Sequence, residues 1–256
     1  MPTITFIGRV LPACYQISLS SKTLDWKWGE ENLTLQFDCR ADKSIVTVTC
    51  TLDRYRPEYL EEIHRRAFDL VRSAVNLAAF ATGVGYSVIF ESVIDTSGQT
   101  KIFAPQDLSL ARLCTSFSLN PQPGKTSISE MWDLVLSNVA IFQALEDLIT
   151  SITLPHHAPV DCARAIERLR HLVATPGAPV YQAWEEMRNA LQLDRSFLQL
   201  ITDASAQPRH GDPAHIPGAT TKEIVRRSWI IMDRHLESRI RGNIPLPTTD
   251  FPLLAG

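Results

Sequence analysis

The 256-residue sequence lacks several features that would place it in a protein class at once. It has no long apolar run, because its longest charge-free stretch, residues 73–90, is interrupted by glycines at 83 and 85. Its five cysteines form no C-x-x-C pair, which is typical of reduced thiols and argues against a zinc site. We therefore expect a soluble cytoplasmic protein with neither a membrane span nor a signal peptide.

The sequence also lacks an excess of charge of either sign. It holds 25 basic and 28 acidic residues, for a formal net charge of −3. A protein that coats DNA through bulk positive charge is thereby excluded, whereas a local basic patch is not. No P-loop, G-x-S-x-G or H-E-x-x-H motif occurs, so the sequence predicts neither a metal site nor a cofactor.

The first half of the sequence alternates apolar and polar residues with period two. This pattern, with β-branched and aromatic residues, predicts short strands, and Asp42-Lys43 between the last two predicts a hairpin. A helical pattern over 57–81 follows, with Pro57 at its start. We expect an α+β domain over 1–120, a small antiparallel sheet plus one long helix, with strands at 3–7, 15–19, 33–37, 45–49, 85–94 and 100–104.

The second half has a helical period throughout. Prolines and a glycine within 121–126 predict a linker, and Ser127 with Glu130 after it forms a plausible capping box. We expect an all-α antiparallel helical bundle over 127–256, with an extended tail after Gly242. Its predicted helices cover 127–152, 159–174, 179–193, 194–204 and 220–241.

Three histidines are assigned to ordinary structural positions. His64 is expected on a solvated helix face, because no second histidine follows at the spacing of a metal-binding helix. His171 and His235 lie on amphipathic helices and are expected at the boundary between the core and the surface.

One connecting segment, residues 207–218, concentrates side chains that can do chemistry. It contains Arg209, His210 and His215 together with an aspartate and three prolines. Arginine offers a planar donor fork that suits phosphate oxygens, and histidine gives or takes a proton near neutral pH. The prolines limit the freedom of the backbone that would hold these groups. We therefore treat this segment as the candidate functional site.

The spacing of Arg209 and His215, with five residues between them, resembles the Arg-x4–6-His motif of the HEPN superfamily. His210 stands where those proteins often carry a polar residue just after the arginine. HEPN domains are small helical bundles with the motif near a late helix, and the resemblance covers about residues 125–245 here. It implies that this half dimerises through the bundle.

The resemblance further implies a metal-independent endoribonuclease, as in bacterial defence or toxin effectors. His215 would be the general base on the ribose 2′-hydroxyl, and Arg209 would stabilise the transition-state charge, leaving a 2′,3′-cyclic phosphate. His210 would position the substrate or assist proton transfer. Arg226 and Arg227 on the last predicted helix are candidates for RNA binding, or simply its solvated face. The first half would sense or regulate.

An alternative function follows from the proline inside the motif. Pro213 disfavours a continuous helix from Arg209 to His215, so the two side chains would have to converge from a loop. The alternative is a non-catalytic HEPN-like bundle for dimerisation or for binding nucleotide or protein. In that case Arg209 and His210 would only join the loop to a helix by hydrogen bonds.

Overall fold

The computed structural model describes residues 1–14, 16–102, 108–120, 122–211 and 216–256. The chain forms two compact units, Met1–Ala104 and Pro105–Gly256. The first contains a sheet with one long helix, and the second is almost entirely helical. This confirms the fold class expected from the sequence.

The first unit is an antiparallel sheet with a helix packed on one face. Its strands are hydrogen-bonded in the order β2-β3-β4-β1-β5-β6, and a 3-10 turn at Pro57–Tyr59 precedes the helix. The elements are β1 (Thr3–Leu11), β2 (Leu19–Trp28), β3 (Leu33–Asp42), β4 (Ile45–Leu52), α1 (Leu60–Thr82), β5 (Ser87–Ile94) and β6 (Thr100–Ile102).

Alternation along the strands buries one face of this sheet under α1. Ile4 and Phe6 of β1 are fully buried, as are Ile63 and Val71 of the helix. Helix α1 ends at Gly83, whose positive φ of 70° is costly for residues with a Cβ. The apolar period of the sequence therefore identified the helix and the face that it covers.

His64 does not occupy the solvated position expected from the sequence. Its ring lies among those of Phe6, Phe68 and Phe90, with centroid distances of 5.6, 6.3 and 5.5 Å. Burial lowers the pKa of His64 to about 4, because the charged form would lose its hydration there. His64 therefore belongs to the interface between helix and sheet.

The second predicted strand, 15–19, is wrong over residues 16–18, which form no strand, and Tyr15 lies outside the described residues. The strand in this part of the chain is β2, Leu19–Trp28, which pairs with β3 along its length apart from an irregularity after Leu19. The hairpin expected at Asp42-Lys43 is confirmed, since β3 and β4 are joined there through two residues with positive φ, Lys43 and Ser44.

The second unit is built around a central helix that packs against four others. Its elements are α2 (Leu108–Ala111), β7 (Phe117–Ser118), β8 (Thr126–Ser127), α3 (Ile128–Leu136), α4 (Val139–Thr153), α5 (Ala158–Val173), α6 (Val180–Leu191), α7 (Arg195–Arg209) and α8 (Gly218–Ile240). Helix α5 contacts α4, α6, α7 and α8. Its fully buried residues Ile166 and Leu169 lie in the core of the bundle.

The helix predicted over 127–152 is divided in two, which corrects the sequence interpretation. The capping box at Ser127 and Glu130 is confirmed and begins α3, but Asn138 begins a second helix. The Asn138 Oδ1 accepts hydrogen bonds from the N–H groups of Ala140 and Ile141 at 3.1 and 3.2 Å. These bonds satisfy donors that a continuous helix would have bonded to the preceding turn.

No single helix in the described ranges is long and apolar enough to cross a membrane. Only α3 and α4 taken together reach that length and hydropathy, and the two are bent by 112°.

A buried carboxylate ties the segment before α3 to the last helix. Asp233 of α8 accepts hydrogen bonds from the N–H groups of Thr115 and Ser116, at 2.8 and 2.9 Å, and from the Thr115 hydroxyl at 2.7 Å. Strands β7 and β8 pair in parallel across the intervening loop. The segment 121–126, predicted as a linker between domains, therefore lies inside the second unit.

The tail after α8 folds back onto the bundle. Leu246 is buried and donates its N–H to the carbonyl of Ala190 at 2.9 Å. Leu254 donates to the carbonyl of Gln192 at 3.0 Å and accepts from the N–H of Asp194 at 2.8 Å. The tail is thus fixed to the region where α6 ends and α7 begins.

Candidate functional site

The predicted catalytic arginine lies at the end of α7 and is already paired with a carboxylate. Arg209 Nη1 donates to Glu167 Oε1 of α5 at 2.7 Å, and the Arg209 side chain is 29% exposed. His210 ends the helix by donating its N–H to the carbonyl of Gln207 at 3.0 Å. The guanidinium therefore joins two helices of the bundle, with much of its charge compensated by a carboxylate.

His215, the predicted general base, falls outside the described residues, as does Asp212. The distance between the side chains of Arg209 and His215 therefore lies outside what the structure describes. The ribonuclease activity implied by the resemblance stays a prediction.

The two arginines predicted to bind RNA share one carboxylate. Glu223 accepts two hydrogen bonds from Arg226, at 2.7 and 2.9 Å, and one from Arg227 at 2.8 Å. These bonds lower the pKa of Glu223 to about 2. Arg227 also donates to the carbonyl of Phe197 at 3.1 Å and lies 4.9 Å from the centre of its ring. Arg227 thus braces α8 against α7.

The bundle has a cavity of about 440 Å³ elsewhere, which we call the α6–α8 cavity. Helices α6 and α8 form two of its walls, and the end of α5 with the start of the tail completes it. Its lining residues are Leu172, Val173, Thr175, Glu186, Asn189, Ala190, His235, Ser238, Arg239, Asn243 and Pro245.

A buried histidine in the wall of this cavity has no hydrogen-bond partner. His235 is 1% exposed, and neither of its ring nitrogens bonds to any residue that the structure describes. An unsatisfied buried polar group costs about 1–3 kcal/mol, so such groups in a native fold require an explanation. His235 is therefore not at the boundary position expected from the sequence.

Arg239 lies one helical turn after His235 and also lines the cavity. Within the described ranges its side chain makes no hydrogen bond or ion pair, unlike Arg226, Arg227 and Arg241, which each contact a glutamate. Burial, with a smaller contribution from the positive charge of Arg239, lowers the pKa of His235 to about 4. The imidazole is therefore neutral at pH 7.

Two amides and a carboxylate complete the polar lining. The side chains of Asn189 and Asn243 have no hydrogen-bond partner in the part of the chain that is described. Glu186 is already occupied, because it accepts from the Thr175 N–H at 2.6 Å and from Gln182 Nε2 at 2.7 Å. Among the described residues, the lining thus offers one cation and two amides without a partner, and the imidazole of His235 is buried directly behind it.

The stability of the helical unit is expected to fall on acidification. The pKa of His235 is about 4 in the folded chain and 6.5 ordinarily, so between these values the unfolded chain binds the proton first. The free energy of unfolding therefore decreases as the pH falls from 6.5 to 4, by up to about 3 kcal/mol. Urea unfolding at pH 7 and pH 4.5, for wild type and for His235→Phe, measures the loss.

The comparison of these two proteins isolates His235. Burial also lowers the pKa of His64 to about 4, but His64 titrates equally in both. We expect the variant to lose distinctly less stability than the wild type between the two pH values. Equal losses would show that the imidazole of His235 is hydrated in the folded chain.

The sequence carried a weak signal for this cavity. The spacing of His235 and Arg239 places both on one side of a predicted helix, but Asn189, Glu186 and Asn243 come from other parts of the chain. Among the residues described, no three His, Cys, Asp or Glu side chains converge as a metal site.

Both units match models of a known family. Residues 4–103 match the N-terminal domain of DUF8168, and residues 128–240 match its C-terminal domain, each described as a domain of unknown function. No curated protein and no solved structure matches the chain. The second match includes His235 and Arg239. Because two domains of one family cover most of the sequence in order, the chain belongs to the DUF8168 family.

Proposed function

We propose that the C-terminal helical unit is a non-catalytic binding module for a phosphorylated small molecule of the nucleotide class, held in the α6–α8 cavity. The main observation in support is a pair of side chains on α8. The imidazole of His235 is buried without a hydrogen-bond partner, and the guanidinium of Arg239, one turn later, has no acidic partner among the described residues. Both groups belong to the wall of one cavity.

Arg239 supports the phosphate end of this ligand. A guanidinium binds two phosphate oxygens through parallel N–H donors, and such charge-assisted bonds are about twice as strong as neutral ones. Glu223 and Glu237 hold neighbouring arginines of α8, but no described carboxylate bonds to Arg239. Its charge is therefore free for a ligand.

The neutral groups support a base or sugar end. Asn189 and Asn243 each offer a donor and an acceptor, the combination that recognises the edge of a base. The carboxylate of Glu186 accepts hydrogen bonds from Thr175 and Gln182, and its negative charge would repel a second anionic group of the ligand on that side of the cavity. This favours a ligand with a single phosphate, a phosphate monoester.

The size and walls of the cavity fit a ligand of this class. Its volume of about 440 Å³ lies within the range of about 300–1,000 Å³ typical of small-molecule sites. Leu172, Val173, Ala190 and Pro245 give it an apolar wall beside the polar groups. This combination of an apolar wall and a few convergent polar groups is usual for ligand pockets.

Titration calorimetry with adenosine 5′-monophosphate tests the proposal. We expect binding by the wild type, and Arg239→Ala should weaken it about tenfold or more, because one charge-assisted contact contributes about 1.5–3 kcal/mol. Adenosine alone and inorganic phosphate alone should each bind more weakly than the nucleotide, since each reaches only part of the lining.

Arg195→Ala is the matched control, because Arg195 is an exposed arginine outside the cavity with no ion pair among the described residues. It should bind the nucleotide like the wild type. Absence of binding, or an equal affinity in Arg239→Ala, would contradict the proposal. Cleavage of RNA that Arg209→Ala abolishes and Arg239→Ala preserves would also contradict it, and would favour the predicted HEPN nuclease.

RNA as a ligand and a homodimer formed through the bundle are implied by the HEPN resemblance alone. Both stay predictions, as does a sensing or regulatory role for the first unit. The observed contacts of Arg209 with Glu167 support the non-catalytic alternative, in which this arginine joins parts of the bundle.

A further inference from the structure

Helices α3 and α4 expose an unusual amount of apolar side chain. Six large residues of these two helices are between 49% and 69% exposed, and we call them the α3–α4 face. They are Ile128, Trp132, Leu136, Val139, Phe142 and Ile149. Isolated exposed apolar residues are ordinary on proteins, whereas contiguous patches mark interaction sites.

The spacing of these residues makes them neighbours. Ile128, Trp132 and Leu136 recur every four residues along α3, so their side chains lie on one side of that helix. Val139 and Phe142 continue the series on α4, three residues apart, beginning just beyond the corner at Asn138. The exposed residues therefore form a stripe on each helix, one on either side of the corner at Asn138.

The opposite sides of both helices are already buried in the bundle. Met131 of α3 and Ile141, Ala144 and Leu148 of α4 are part of its core. These contacts fix the two helices without the α3–α4 face. Substitutions on the exposed side consequently leave the packing of the core intact.

The charges that α3 and α4 themselves carry have one sign. Glu146 is exposed on α4, four residues after Phe142 and three before Ile149, and Asp133 is exposed beside Trp132. Neither carboxylate has a cationic partner among the described residues. By contrast, Asp147 on the inner side of α4 pairs with Arg164 and Arg168.

Basic residues are missing from this part of the sequence altogether. No lysine or arginine occurs between Lys125 and Arg164. The face is thus apolar with unpaired acidic groups, and its electrostatic complement is an apolar surface with basic groups. A second copy in a two-fold arrangement would oppose acid to acid, and an anionic lipid surface would also be repelled.

We propose that the α3–α4 face docks an amphipathic helix of another protein that carries lysines or arginines beside its apolar stripe. Such a helix anchors by apolar residues spaced three and four apart, the spacing of the exposed residues on this face. Its basic residues would pair with Glu146 and Asp133. This inference is independent of the ligand proposed for the α6–α8 cavity.

A labelled synthetic peptide of about 18 residues, built from leucine and lysine in a helical amphipathic pattern, serves as the probe. Fluorescence anisotropy with the full chain is expected to show saturable binding. A peptide with glutamate in place of lysine should bind about tenfold more weakly or worse. Phe142→Ala and Trp132→Ala should each weaken the lysine peptide about tenfold, with unchanged circular dichroism.

Glu146→Lys distinguishes charge-matched binding from non-specific hydrophobic binding. At a charge-matched site, this variant should prefer the glutamate peptide more than the wild type does. Tyr181→Ala is the matched control, since Tyr181 is 73% exposed on α6 and lies outside the face. Equal binding of both peptides, or no effect of Phe142→Ala, would overturn the proposal. Self-association or vesicle binding that Phe142→Ala abolishes, in place of peptide binding, would also overturn it.

Discussion

Replacement of Arg234 by alanine is expected to lower the free energy of unfolding of the helical unit by about 3–5 kcal/mol. Arg234 is 6% exposed and donates to the carbonyls of Leu191, Gln192 and Pro252 at 2.9, 2.8 and 2.8 Å. Its removal takes a charged donor from all three carbonyls, of which that of Gln192 keeps the N–H of Leu254, and it releases Pro252 of the tail from α8. Urea unfolding followed by circular dichroism measures the change.

Arg226→Ala is the control on the same helix. Arg226 pairs with Glu223 three residues away in a half-exposed position, so its loss should cost about 0.5 kcal/mol. A comparable loss in both variants would mean that the carbonyls near Arg234 are reached by water. In that case the tail would contribute little to the stability of the bundle.

The second large effect is expected at Asp233. Asp233→Ala removes the acceptor of three hydrogen bonds from Thr115 and Ser116, so that buried donors lose their partner. We expect a loss of about 3 kcal/mol or more in the free energy of unfolding, because bonds to a charged group contribute about 1.5–3 kcal/mol each and are partly replaced by water. Thermal unfolding and urea unfolding both report it.

Asp250→Ala is the matched control, since Asp250 is an exposed aspartate of the tail that lies 3.7 Å from Arg241. Its loss should change stability by less than about 1 kcal/mol. Cleavage by a protease should also become faster between 108 and 120 in Asp233→Ala and stay unchanged in Asp250→Ala. Unchanged stability in Asp233→Ala would show that the segment before α3 is held by other contacts.

Local sequence patterns predicted most of the fold. The helix that packs on the sheet begins after Pro57 and ends at Gly83 because both residues have backbone preferences that suit those positions. The capping box of Ser127 and Glu130 was predictable for the same reason, since it depends on residues three apart. Such features need no information about the rest of the chain.

The errors arose where the apolar period runs past a local cap, or where pairing with another strand outweighs the local pattern. The apolar stripe from 127 to 152 continues across Ser137 and Asn138, so the stripe alone could not reveal the break that the Asn138 cap makes. Strand β2 contains two serines, two lysines and an aspartate among its ten residues, and it owes its extended form to pairing with β3.

The α6–α8 cavity could not be predicted, because its polar groups come from distant positions. Asn189, His235 and Asn243 are brought together only by the packing of α6 on α8 and by the return of the tail. The motif at Arg209 was visible as a pattern of residue types. Its contact with Glu167, 42 residues earlier, depends on how α5 and α7 pack.

The attachment of Thr115 and Ser116 to Asp233 has a practical consequence for dissecting this protein. A recombinant fragment cut at residue 127, where the sequence suggests a domain start, would lack β7 and the Thr115 and Ser116 donors to that carboxylate. Leu110, which belongs to the core of the helical unit, would be missing as well. A fragment for crystallisation or binding work should therefore begin upstream of Leu108.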